Sequence, residues 1–254
     1  GQNLYKLNAG TLSHGFARDL DGYDPAALDK FPEADPYRTW SPNSNLVSST
    51  YKGKQYNSTG PGSGTRDRYD ANFLNERENY FHKPQVNLNW YSFFGNGLTL
   101  STVGYYSGGR GGGTGTYGSL KWDYRYTQRF PDWDATIDRN VGNGLSRGIL
   151  RNSVNNQDTY GLISKLRKDF SNGLTTEVGL DWRTAEIEHY REVRDLLGGT
   201  GYDDCGYGCS SDFWSAADGI RGLGDRIAYN NTNTVNWLGA YAQAEKATQE
   251  GSFY

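Results

Sequence analysis

The chain has no methionine, only two cysteines, three histidines and seven prolines in 254 residues. It also has no apolar run near the length of a membrane-crossing helix, which needs roughly 18 or more such residues. Mean hydropathy is -0.81 and hydrophobic residues make up 35%, so a conventional large apolar core is not signalled. With so few histidines, and with neither a Gly-x-Ser-x-Gly elbow nor an HExxH pair, the common hydrolase and zinc-protease arrangements are excluded. The chain therefore reads as a non-enzyme without cofactor or metal. A net charge of -3 and the lack of a basic stripe exclude a nucleic-acid partner. The chain begins at Gly1 without a charged-then-apolar leader, and is read as a mature product or an internal piece.

What the chain has is aromatic residues, glycine and alternation. Tyr numbers 20, Trp 7 and Gly 34. Twice an alternating segment enters a short Gly-containing turn and leaves along another: PQVNLNWYSFF-GNG-LTLSTVGYYS and TYGLISKLRKDF-SNG-LTTEVGLDW. In the first, Val86, Leu88, Trp90 and Phe94 fall on one face and Gln85, Asn87 and Asn89 on the other. In the second, Tyr160, Leu162, Leu166 and Phe170 oppose Gly161, Lys165 and Arg167. Period-two alternation of this kind marks a strand with two chemically different faces. Strands are expected at 4–12, 84–94, 98–108, 159–170, 174–190 and 234–246, with long polar loops at 13–83, 109–158 and 191–233. Residues 252–254 would begin a seventh strand.

Strict alternation of short turns and long loops is the layout of an antiparallel transmembrane β-barrel, with short periplasmic turns and long extracellular loops. A strand that shows lipid only every second residue keeps average hydropathy low. The ten steps from Tyr160 to Phe170 span about 33 Å at about 3.3 Å per residue. A tilt of about 45° reduces this to a height of about 23 Å, matching an apolar band of about 25 Å between aromatic girdles. Lys165, Arg167, Glu177, Asp181 and Arg183 on the reverse face are too costly for a dry sandwich core, whereas a wet or protein-filled lumen accommodates them. A secreted β-sandwich alternates in the same way but does not predict long connections confined to one edge.

The loop chemistry is sparser. Gly108–Thr116 (GGRGGGTGT) lacks the Gly-Lys-Ser/Thr ending of a phosphate loop and reads as a flexible loop. Asp19–Asp24 opens like a calcium loop, but Lys30 stands where the bidentate glutamate belongs, so the segment reads as an Asp-rich turn, with weak calcium binding as the alternative. Cys205 and Cys209 are candidates for a small disulfide in an oxidising compartment. Loop aromatics serve either to stack on a ligand or to pack the loops. The candidate ligand contacts are Trp40, Trp122, Trp133, Tyr202, Tyr207 and Trp214.

His82–Tyr91 (HKPQVNLNWY), Thr184–Leu196 (TAEIEHYREVRDL) and Asn231–Gln243 (NTNTVNWLGAYAQ) resemble the barrel portion of TonB-dependent outer-membrane receptors. The resemblance is greatest to the large Bacteroidetes-type members with a carboxypeptidase-regulatory-like front domain. It implies a 22-stranded barrel in the bacterial outer membrane, plugged by an N-terminal domain and energised by TonB through a short N-terminal box. The implied activity is capture and uptake of a small-molecule or glycan ligand, with outer-membrane lipid and the TonB complex as partners. Nothing here matches the plug or box, and six or seven strands make roughly a third of such a barrel. The chain is then either a middle segment of a longer receptor or a small barrel with oversized loops. The unfinished seventh strand favours the segment, because an open edge in lipid leaves backbone groups unsatisfied.

Overall fold

Gly95, Asn96 and Gly97 hold positive φ angles of 77°, 50° and 71° in succession. Two glycines and an asparagine tolerate this left-handed path, and the chain reverses there in a short turn. The turn is closed by Phe94 N–H donating to Leu98 O (3.0 Å) and Leu98 N–H donating to Gly95 O (3.0 Å). In the computed structural model of the chain, the described residues are 44–58, 63–68, 72–123, 130–205, 219–248 and 251–253. The expected strand at 4–12 and the Asp19–Asp24 turn lie outside them.

The described chain is mostly antiparallel β-sheet with one helix. Short strands come first: β1 (Ser44–Leu46), β2 (Lys54–Asn57), β3 (Gly64–Asp67), β4 (Phe73–Asn75) and β5 (Asn79–His82). Next come β6 (Gln85–Phe93), β7 (Leu98–Gly118), β8 (Trp122–Asp123), β9 (Phe130–Pro131) and helix α1 (Trp133–Asn143). The remainder are β10 (Gly148–Asp169), β11 (Leu174–Asp195), β12 (Tyr202–Asp203), β13 (Ile220–Arg221), β14 (Arg226–Ala247) and β15 (Ser252–Phe253). A seven-stranded sheet runs β15-β14-β11-β10-β7-β5, with β6 also paired to β7. Two-stranded ladders β1-β4, β2-β3, β8-β9 and β12-β13 complete the pairing.

Among the described residues the expected strands at 84–94, 98–108, 159–170, 174–190 and 234–246 overlap β6, β7, β10, β11 and β14, and the long strands continue well past the expected ends. β7 runs to Gly118 rather than 108, β10 starts at Gly148 rather than 159, β11 ends at Asp195 rather than 190, and β14 starts at Arg226 rather than 234. Beyond these points the regular apolar alternation gives way to glycine-rich and polar stretches that hold only isolated apolar residues, Ile149, Leu150, Val154, Val193 and Ile227, while the hydrogen-bonded ladder goes on. The Gly108–Thr116 run is thus strand, not a flexible loop. Its missing side chains leave room for neighbours: a Cβ on Gly111 would meet Tyr80 O at 2.7 Å, and one on Gly112 would meet Ser153 O at 2.5 Å. The described parts of the expected loops 13–83, 109–158 and 191–233 carry β1–β5, the strand extensions with β8, β9 and α1, and β12–β13. Asp132 caps α1, its side chain accepting from Ala135 N–H at 3.0 Å.

The chain divides into two compact units. Unit 1 takes the described residues within 1–81, 111–154 and 189–230, and unit 2 those within 82–110, 155–188 and 231–254. Every buried hydrophobic side chain among the described residues belongs to unit 1. One cluster gathers Val47, Leu74, Leu120, Trp133, Ile137, Leu150 and Leu197, and a second gathers Ile149, Val193, Tyr202 and Ile227.

Unit 2 is organised differently. Its only buried described residues are Gly108, Gly161 and Gly179, so its sheet has no apolar core on either side. Cross-strand contacts fix which residues share a face. Val86 pairs with Tyr106 and Leu88 with Gly104. The Tyr106 and Tyr160 rings lie 5.1 Å apart, and the Thr102 and Ser164 hydroxyls are hydrogen-bonded at 2.9 Å. Thr184 donates to Asn236 Oδ1 at 2.8 Å. That face presents Val86, Leu88, Trp90, Tyr160, Leu162, Leu166, Val178, Leu180, Trp182 and Leu238, all exposed. On the reverse face Thr175 donates to Asp169 Oδ1 at 2.8 Å, and the ion pairs Arg167–Asp169 (3.0 Å) and Arg183–Asp181 (2.6 Å) form. The short turns of this unit are linked side by side: Asp169 N–H donates to Gly97 O, and Ala247 N–H to Gly173 O, each at 2.9 Å.

Candidate ligand-binding site

Unit 1 is held together by buried polar groups as well as its two apolar clusters. Asp195 is fully buried and accepts from Tyr51 Oη (2.6 Å), Gln55 Nε2 (3.2 Å) and Leu197 N (2.9 Å). Burial pushes its carboxyl above the usual range. Burial first, then the Asp195 charge, pushes the Tyr51 phenol up as well. Glu192 accepts from Asn152 Nδ2 at 2.8 Å, and burial raises its carboxyl too. Arg194 donates to Glu78 Oε2 at 2.7 Å and to Asn57 Oδ1 at 2.5 Å. β11 therefore anchors β2, the segment before it and the approach to β5 through polar side chains that sequence periodicity does not register.

A second polar group gathers round Ser153 of β10. Its hydroxyl takes Arg151 Nη1 at 2.9 Å, Tyr229 Oη at 3.4 Å and Arg191 Nε at 3.5 Å. Arg191 lies over two rings, its guanidinium carbon 5.4 Å from the Tyr117 centroid and 5.1 Å from that of Tyr229. Arg151 also donates to Gly113 O at 3.0 Å, and its Nε is shielded from solvent without a hydrogen-bond partner. Burial, then the charges of Arg191 and Arg77, lower the Arg151 guanidinium from its ordinary value. Tyr117, Arg151, Ser153, Arg191 and Tyr229 come from β7, β10, β11 and β14, all rigid strand positions. Two cations, two ring faces and one hydroxyl from four strands thus meet round a single oxygen.

The aromatic residues expected to touch ligand fall elsewhere. Trp133 is 0% exposed, with its indole N–H on Leu74 O at 3.1 Å, and Tyr202 is 1% exposed. Both are core, a correction of the ligand reading, because a ring with no accessible face cannot stack on a solute. Trp122 is half-buried against the Trp133 cluster. Trp40, Tyr207 and Trp214 lie outside the described residues. Cys205 is disulfide-bonded, while Cys209 lies outside the described residues. Sequence reading missed the Ser153 group because its members are spread over more than a hundred positions. The available signal was the pair of arginines at Arg151 and Arg191, at strand positions expected to be loop. No protein-family model, curated protein or solved structure matches the chain.

Proposed function

We propose that the chain is a segment of an outer-membrane β-barrel receptor that captures a ligand outside the cell for TonB-driven uptake. One observation carries the reading. Among the described residues unit 2 buries no hydrophobic side chain, while large apolar residues of one face stand exposed, from 37% at Leu162 to 74% at Leu88. Soluble monomers rarely leave so large a contiguous apolar area in water, and hydrocarbon is the solvent that this face suits. The reverse face carries Lys165, Arg167, Glu177, Asp181 and Arg183 beside the exposed rings of Tyr91, Phe93, Trp237 and Tyr241, and its charges suit a water-filled or plugged lumen. Short Gly turns between long connections fit the periplasmic and extracellular edges of such a barrel.

In this reading the polar network of unit 1 braces extracellular loops, outer-membrane lipid surrounds the apolar face, and TonB acts through parts beyond this sequence. The ligand is a small molecule or glycan held by loop and strand-end side chains. A surface adhesin or matrix protein would use the same sheet without a plug, and a secreted carbohydrate-binding sandwich would need a second sheet over the apolar face. Purification of the full-length protein decides between lipid and water. The receptor reading expects detergent dependence and heat-modifiable gel migration, while a monomer stable without detergent contradicts it. A plug and TonB box encoded upstream separate the receptor from the adhesin.

A further inference from the structure

We infer that Arg151 and Arg191, with Ser153 and Tyr229 between them, form a binding site for an oxyanion, the carboxylate, phosphate or sulfate group of a captured ligand. The inference deepens the receptor reading by giving the ligand a chemical class, and it rests on that reading for its biological meaning.

The donor count is the first argument. Three donors, Arg151 Nη1, Arg191 Nε and Tyr229 Oη, converge on the single Ser153 hydroxyl, which has two lone pairs to offer. The long distances to Arg191 and Tyr229, 3.5 and 3.4 Å, mark donors that this oxygen does not satisfy well. Arg151 Nε, out of contact with water, has no acceptor.

Charge is the second argument. Among the described residues no carboxylate forms an ion pair with Arg151 or Arg191. The acid whose charge acts on Arg151, Glu76, is already engaged, pairing with Arg77 at 3.4 Å and accepting from Thr116 at 3.2 Å. Two half-buried guanidinium groups sharing one neutral hydroxyl repel each other, and an oxyanion removes that repulsion while giving Arg191 and Tyr229 a stronger acceptor than the distant Ser153 hydroxyl. Arginine forks match planar and tetrahedral oxyanions in this way, through parallel charge-assisted hydrogen bonds.

Preorganisation is the third. The Tyr117 and Tyr229 rings hold Arg191 by cation–π stacking. Gly115 leaves the space that Arg151 occupies, since a Cβ there would sit 2.9 Å from Nη2 and 3.0 Å from Cζ. The glycine-rich stretch of β7 thus makes room for the guanidinium.

The test is calorimetric titration of the full-length protein in detergent with citrate, inorganic phosphate and inorganic sulfate, each at constant ionic strength set with chloride. Saturable binding of at least one probe is expected. Affinity should fall about tenfold or more in Arg191→Gln and in Arg151→Gln, the loss of one charge-assisted donor group, and by less in Arg191→Lys. Citrate binding alone identifies a carboxylate ligand, and phosphate or sulfate binding alone a tetrahedral one. No saturable binding, or equal affinity in the Arg151→Gln/Arg191→Gln double variant, overturns the site. Heat-modifiable migration of each variant, run in parallel, shows that loss of binding is not loss of fold. Because migration reports the barrel and calorimetry the site, the two readings fail separately.

Discussion

Tyr51 donates its phenolic hydrogen to Asp195 Oδ1 at 2.6 Å, although the two residues are 144 positions apart. The bond closes the segment before β2 onto the end of β11, inside unit 1. Tyr51→Phe leaves a buried carboxylate short of one donor and should cost about 1–3 kcal/mol. The same site sets a pH dependence. A carboxyl raised above its unfolded value contributes its full stability below that value, near ~4, and loses it as pH rises through the folded value. Wild type should therefore lose stability relative to Asp195→Asn as pH climbs from about 4 towards neutrality. Chemical denaturation across that range measures the difference, and a difference independent of pH contradicts the assignment.

Trp133 fills the first core cluster with no exposed surface. Trp133→Ala should destabilise the protein by about 3–5 kcal/mol, the usual cost of an aromatic cavity in a core. Trp122→Ala, at a half-buried ring, should cost clearly less. Equal losses from the two in thermal denaturation would show that Trp133 is not the centre of that core.

Asymmetry between the two faces of unit 2 gives a mutational contrast. Leu88→Arg should lower folding stability in a bilayer by about 2–4 kcal/mol if Leu88 lies near the midplane. On the reverse face, Asn87→Ser should change stability by less than about 0.5 kcal/mol. Equilibrium folding into phospholipid vesicles reads both, and similar effects from the two positions would contradict the facing.

The turn after β6 should be intolerant at one position. A Cβ on Gly97 would stand 2.4 Å from Asp169 O, and its φ of 71° is strained for any side chain. Gly97→Ala should cost about 1–3 kcal/mol and weaken the link from Asp169 N–H to Gly97 O. Amide hydrogen exchange at Asp169 should accelerate in the variant. Unchanged protection would show that the neighbouring turns are not coupled.

The sheet was legible in the sequence wherever chemistry alternated. Val86-Asn87-Leu88-Asn89-Trp90 announces both a strand and its faces, and Gly95-Asn96-Gly97 announces the turn. The strand extensions were not legible, because Gly108–Gly113 and Arg151–Gln157 carry no apolar period, and their ladders rest on backbone pairing that side chains do not advertise. Helix α1 had a local signal, Asp132 followed by Trp133-Asp134-Ala135-Thr136-Ile137, which the polar surroundings obscured. The Ser153 group was beyond reach for another reason. Four strands must be set in register before Tyr117, Arg151, Arg191 and Tyr229 meet, and no local pattern specifies that register.

The most direct test of the central claim is spin-label accessibility along β6 and β11 in lipid vesicles. Single cysteines at Leu88 and Leu180, and at Asn87 and Glu177, are labelled in the full-length protein and probed with oxygen and a water-soluble nickel chelate. Labels at Leu88 and Leu180 should collide with oxygen and be hidden from the chelate, and those at Asn87 and Glu177 should show the opposite pattern. Equal chelate accessibility at all four positions would mean that neither face meets hydrocarbon, and the membrane account would be wrong.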